Sequence, residues 1–165
     1  GRFSPEDMRR LVRLPLADGK QAWTPCRHFL QILHTLESLS GAVSKKFIEN
    51  LYISQMEFEM YGEAEALCEW LAVRGQEKYA WTGLASIYSK TNRFEEGLTH
   101  CRRAISKYPT EKCFHINGLR ALIGLGRHRE ALKQIQLSIK LFPEDPSLVE
   151  MNKEVLSLST LPGLK

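Results

Sequence analysis

The run Lys78-Tyr79-Ala80-Trp81-Thr82-Gly83-Leu84-Ala85-Ser86-Ile87-Tyr88, continued by Asn92-Arg93-Phe94-Glu95-Glu96-Gly97 and closed by Ala104 and Lys107-Tyr108-Pro109, decides how the chain is read. Further along, Gly126-Arg127-His128-Arg129-Glu130-Ala131 and Lys140-Leu141-Phe142-Pro143 repeat its second part without a gap. Pro109 to Pro143, Glu96 to Glu130, Gly97 to Ala131 and Arg93 to Arg127 are each 34 residues apart. A weaker copy precedes them, Tyr61-Gly62-Glu63-Ala64 matching Phe94-Glu95-Glu96-Gly97 at an offset of 33. Within the central unit, Trp81, Leu84, Ala85 and Tyr88 are spaced by three and four, as one face of a helix requires, and Leu98, Cys101 and Ile105 do the same for a second helix. Pro109 and Pro143 follow the second helices, where proline cannot continue the hydrogen-bond ladder, and Asn92 and Gly126 mark the turns inside each unit. No β-branched alternation or hairpin dipeptide interrupts the pattern, so the expected class is all α.

A helix–turn–helix unit with this period resembles the tetratricopeptide repeat. With Lys78 as position 1, Trp81 falls at 4, Leu84 at 7, Tyr88 at 11, Ala104 at 27 and Pro109 at 32, with small Ala85 and Gly97 at 8 and 20, where the paired helices approach closest. The next unit, from Lys112, keeps Gly126 at 15, Ala131 at 20 and Pro143 at 32, but has His115 and Gly118 at 4 and 7, so its first helix is expected to pack less tightly. The resemblance covers about residues 44–144 and implies repeats at about 45–77, 78–111 and 112–144. The architecture it implies is a right-handed α-solenoid of about three helix pairs with leading and capping helices.

The ends complete that stack. Thr24-Pro25 reads as cap and first-turn proline of a leading helix through Phe29, Leu30, Leu33, Leu36 and Leu39. Asp145-Pro146 opens a last helix, about 146–158, with Leu148, Met151, Val155 and Leu158 on one face and Glu150, Lys153 and Glu154 on the other, as a capping helix should be. The repeat domain is thus expected over 24–165, behind an N-terminal helix and linker in 1–23. Within that N-terminal part, Phe3-Ser4-Pro5-Glu6-Asp7-Met8-Arg9-Arg10-Leu11-Val12 resembles the last helix of bacterial response-regulator receiver domains, although the Lys-Pro that usually precedes the Phe is absent. Any well-capped amphipathic helix would read the same way.

Composition excludes several classes. At 165 residues, 43% hydrophobic and 25% charged, the chain is an ordinary globular domain. It has no apolar run long enough for a bilayer and no secretory signal, so no membrane role is expected. Cys26, Cys68, Cys101 and Cys113 are scattered singly, without a disulfide framework, which points to a reducing cytoplasm. No nucleophile elbow, P-loop, zinc-protease or dinucleotide motif is present, so neither an enzyme nor a cofactor is expected. Cys26-Arg27-His28 and Cys113-Phe114-His115 look like metal pairs, but on a helix residues two apart point to different sides. Cys68 and Cys101 fall at position 24 of their units, an apolar packing position, and no metal site is expected.

Charge is ordered along the chain. From Arg102 to Lys140 the bases Arg102, Arg103, Lys107, Lys112, Arg120, Arg127, Arg129, Lys133 and Lys140 face only Glu111 and Glu130, whereas Lys45 to Lys78 is acidic. A basic half can attract phosphate, but most of these positions read as solvated faces of second helices, so nucleic acid is not the expected partner. The same polarity suits a partner with acidic and basic segments in sequence, or head-to-tail self-association.

In tetratricopeptide proteins the first helices line a concave groove through positions 2, 5, 6, 9, 12 and 13. The resemblance therefore selects Lys46 and Asn50 in the first unit, among Glu49, Ile53, Met56 and Glu57. It selects Tyr79, Thr82, Ser86 and Lys90 with Ser89 in the second, and Ile116, Asn117 and Arg120 with Cys113 and Ile123 in the third. Glu49 and Ile53 stand where chaperone-binding members carry the Lys and Asn that grip a terminal carboxylate, so that clamp is not expected. The implied function is non-catalytic recognition of a partner peptide or protein, as in a scaffold or adaptor. The alternatives are a regulatory output domain of a bacterial signalling protein, dimeric or not, and an RNA-binding helical repeat.

Overall fold

The computed structural model describes residues 45–159; the readings of the capped helix at Ser4, the linker, the leading helix from Thr24 and the pair Cys26 and His28 lie outside the described residues. Among the described residues the fold is all α, with no strand: α1 (Lys45–Glu57), α2 (Tyr61–Ala72), α3 (Glu77–Lys90), α4 (Phe94–Lys107), α5 (Lys112–Gly124), α6 (His128–Leu141) and α7 (Pro146–Ser159). The chain divides into two compact units between Glu77 and Lys78.

The same turn joins α1 to α2, α3 to α4 and α5 to α6. One residue lies in the left-handed region: Glu59 (φ 58°), Asn92 (φ 57°) or Gly126 (φ 68°). The next, Met60 (φ −82°, ψ 59°), Arg93 (φ −81°, ψ 60°) or Arg127 (φ −83°, ψ 53°), is the N-cap of the following helix. Its N–H donates five residues back, to the carbonyl of Gln55 (2.8 Å), Tyr88 (3.0 Å) or Leu122 (2.9 Å), closing the first helix. Its own carbonyl accepts from Ala64 (3.0 Å), Gly97 (2.9 Å) or Ala131 (3.0 Å), opening the second. Glycine and asparagine tolerate this backbone well, whereas Glu59 holds it against a steric cost of about 1 kcal/mol. Second helices also end alike: Tyr108 (φ −130°, ψ 67°) and Phe142 (φ −137°, ψ 66°) leave the helical region just before Pro109 and Pro143.

In the first unit, α1 packs on α2 and buries Leu51, while α2 buries Ala64, Leu67, Cys68, Trp70 and Leu71. Arg74 covers the Trp70 ring at 3.9 Å and donates to the Trp70 carbonyl at 3.3 Å, closing the end of α2.

The second unit holds two apolar clusters. Ala85, Cys101, Ala104 and Phe114 join α3, α4 and α5, with Trp81, Ile105 and Tyr108 packed against them. Leu98, Leu119, Leu122, Ala131, Ile135, Leu148, Met151 and Val155 join α4 to α7. A Cβ on Gly97 would sit 3.1 Å from that of Tyr88, so the paired helices lie close together there. The expectation that α5 is loosely packed is wrong. Gly118 leaves room for close neighbours, and a Cβ there would meet Gln134 at 3.1 Å and Cys101 at 3.3 Å. His115 is buried and hydrogen-bonded on both ring nitrogens. Its Nε2–H donates to the Pro109 carbonyl at 2.8 Å, which leaves Nδ1 to accept from the Ser138 hydroxyl at 3.3 Å. A satisfied polar ring thus fills the space that an indole fills in the preceding unit.

An aromatic group forms around His100, whose Nε2–H donates to the Trp81 carbonyl at 2.9 Å. The rings of Trp81 (5.6 Å), Tyr88 (5.5 Å) and Phe114 (6.5 Å) surround it edge-on. Burial holds its pKa below the usual 6.5; the Trp81 hydrogen bond opposes this and nearby Arg103 adds to it.

Two outcomes follow for stability. Leu148→Ala, in a fully buried site on α7, should cost about 2–5 kcal/mol in urea unfolding, whereas Val149→Ala on the exposed side should stay within about 0.5 kcal/mol. Equal effects would show that α7 is not part of the core. For His100, the folded state favours the neutral ring, so its contribution is fully present above pH 6.5 and is lost as pH falls through 6.5 toward the lower folded value. His100→Gln should therefore flatten the decline in unfolding free energy between neutral pH and pH 5; an unchanged slope would rule this contribution out.

Candidate functional site

The residues selected from the sequence divide between the two units. In the first, Lys46 is exposed and Asn50 half-buried on α1, where Lys45 and Glu49 form an exposed pair at 3.8 Å. All the others lie in the second unit, on α3 and α5.

Two contacts set these helices side by side. The Lys78 ammonium pairs with Glu111, and the Cys113 thiol donates to Thr82 Oγ1 at 3.6 Å. Lys112 in turn pairs with Asp145 at 2.6 Å and ties the start of α5 to the start of α7. In both ion pairs a lysine in the first turn of one helix meets the acid standing immediately before the helix two further along, α5 for Lys78 and α7 for Lys112. Glu111 and Asp145 each lie at the positive end of a helix dipole, and Asp145 Oδ1 also accepts from the backbone of Ser147 (3.0 Å) and Leu148 (3.3 Å). The Lys112 hydrogen bond is the main reason its carboxyl titrates below the usual range. On the other side, Arg102 reaches Glu130 at 2.9 Å and Arg127 reaches Glu95 at 3.9 Å, linking α4 to α6.

Along α3, Tyr79 and Lys90 are exposed. The Thr82 and Ser86 hydroxyls donate to the carbonyls four residues back, at 2.9 and 3.2 Å. Their protons are thus spent within the helix, and what they offer outward is acceptor lone pairs. On α5, Ile116 is half-buried against the core and Asn117 is buried, at 5% exposure. The Asn117 Oδ1 accepts from Arg120 Nη1 at 3.3 Å, so the amide orients the guanidinium.

Arg120 is exposed and lines a cleft of about 420 Å³ with Phe94, Ile123, Gly124, Ser147, Glu150, Met151 and Glu154. Its floor requires glycine at 124, because a Cβ there would lie 2.6 Å from the Phe94 ring. The α7 half of the cleft was missed by reading that helix only as a cap. The signal was available: Ser147, Glu150, Met151 and Glu154 are positions 2, 5, 6 and 9 of a unit starting at Pro146, 34 residues after Lys112.

Much of the basic stretch is already engaged. Arg102 and Arg127 share Glu130, whose carboxyl they hold below its usual range, with Arg127 the larger influence. Lys112 holds Asp145, and Arg103 and Lys107 lie over the Trp81 ring at 4.9 and 5.5 Å. The three described cysteines are free, and burial pushes both Cys68 and Cys101 up to about 12 and raises Cys113. Cys113 and His115 diverge, one toward Thr82 and the other toward Pro109 and Ser138. Among the described residues no cluster of three or more His, Cys, Asp or Glu could hold a metal ion, and no helix is long and apolar enough to cross a membrane.

The chain matches no family model, no curated protein and no solved structure.

Proposed function

We propose that this chain is a non-catalytic protein-recognition module, a right-handed superhelical stack of tetratricopeptide-type helix pairs that holds a segment of another protein along its first helices. The thrice-repeated turn and the two ion pairs that repeat one unit apart support the repeat reading. The observation that carries the function is the guanidinium of Arg120. Arg102, Lys112 and Arg127 of the basic stretch are paired within the chain, while Arg120 stands at the rim of an apolar-floored cleft, oriented by Asn117 and in no ion pair among the described residues. A guanidinium fixed in this way binds a carboxylate or an aromatic surface with little ordering cost. Tyr79, Thr82, Ser86 and Lys90 extend the same face toward α3, offering a phenol, acceptor oxygens and a cation; Ile116 backs it, and Lys46 and Asn50 hold the equivalent positions on α1. The engaged arginines argue against phosphate binding on the α4–α6 side, and the protonated thiols argue against nucleophilic catalysis.

Peptides selected on the protein from a random-peptide display library should compete for one site. Arg120→Ala should weaken them about tenfold or more, as interface anchors do, with the melting temperature nearly unchanged. Retained affinity would place the binding face elsewhere. A parallel loss of stability would make Arg120 a packing element.

A further inference from the structure

The cleft at Arg120 is not simply basic. Across from the guanidinium, α7 brings Glu150 and Glu154 to the same rim, both exposed and neither in an ion pair among the described residues. They stand one helical turn apart, where like charges repel and weaken the helix, and no residue in the last turn of α7 is basic. Between the two carboxylates and Arg120 the floor is apolar: the Phe94 ring, Ile123 and Met151. The rim therefore carries one positive and two negative charges over a hydrophobic base, in a volume within the usual range for a single binding site, about 300–1,000 Å³.

We infer that this cleft receives a lysine or arginine side chain of the bound segment, its aliphatic stem on Phe94, Ile123 and Met151 and its charged head between Glu150 and Glu154. The inference rests on the groove reading above and names the partner's chemistry. A cation seated between them relieves the Glu150–Glu154 repulsion. Long basic side chains are also the ones whose stems cover apolar surface while their heads stay at a charged rim. A carboxylate entering the same cleft would meet one favourable and two unfavourable charges. Arg120, at the α5 edge, would take an acidic group or ring lying earlier along the same segment. The partner is then a segment of ordered charge, with its basic residue over α7 and its acidic or aromatic residue over α5. Its affinity should fall as salt rises.

The peptides enriched from the random library supply the test. They should share a lysine or arginine at one place, and replacing it by norleucine should weaken binding about tenfold. The double variant Glu150→Gln/Glu154→Gln should lose a similar factor for the parent peptide and nothing further for the norleucine peptide. Its melting temperature should be unchanged or slightly higher, because a repelling pair has been removed. Peptides that depend on Arg120 but lack a shared basic residue, or that bind the double variant as tightly as the parent protein, would overturn this inference and leave the groove reading standing. A library that yields no peptide dependent on either Arg120 or the two glutamates would sink both.

Discussion

Everything in the described fold hangs on a reversal made by one left-handed residue. In each of the three turns, a single backbone amide closes one helix and the carbonyl of the same residue opens the next. With so few residues to bend through, two consecutive helices have little choice but to lie antiparallel and in contact. Their small residues must then fall where the axes meet, as Gly97 does against Tyr88. The turn fixes the pairing, the pairing fixes which faces remain apolar and uncovered, and those faces are buried on the next helices along: Phe114 of α5 against the α3–α4 pair, and Leu148 and Val155 of α7 against α5 and α6.

The helices and turns were legible because they depend on local rules. Asn92 and Gly126 announce the left-handed position, and Pro109 and Pro143 announce the helix ends. Glu59 carries no such signal and yet adopts the same left-handed backbone. His115 and Gly118 misled for a different reason. Looseness was inferred from the loss of a large apolar side chain, yet a ring with both nitrogens satisfied and a glycine that admits its neighbours fill the space as closely. Tight packing is a property of the surroundings, and a pattern of residue types reports it only indirectly.

The candidate site was half legible. Arg120 stands out as a cation between two isoleucines on an otherwise apolar face. That Asn117 would turn inward to orient it, and that Thr82 and Ser86 would give their protons to their own helix, depends on side-chain geometry that spacing does not fix. The α7 contribution stayed hidden because an amphipathic terminal helix reads as a cover for the core. It is that, but one edge also completes the cleft. The proposed tetratricopeptide kinship supplies the register in which those positions become visible.

The Lys78–Glu111 and Lys112–Asp145 pairs have a consequence for how such a chain changes in evolution. Each lysine opens a 34-residue stretch that closes on the acid of its own pair, Lys78 to Glu111 and Lys112 to Asp145, and that acid stands just before the next helix. Excising one whole period between Lys78 and Asp145 would leave a cation facing an anion across the scar, and duplicating one would add a complete rung with no charge orphaned. The proposed repeat stack, stitched in this way, would lengthen or shorten by recombination with its charges still paired. Point mutation then remains free to diversify the exposed rims.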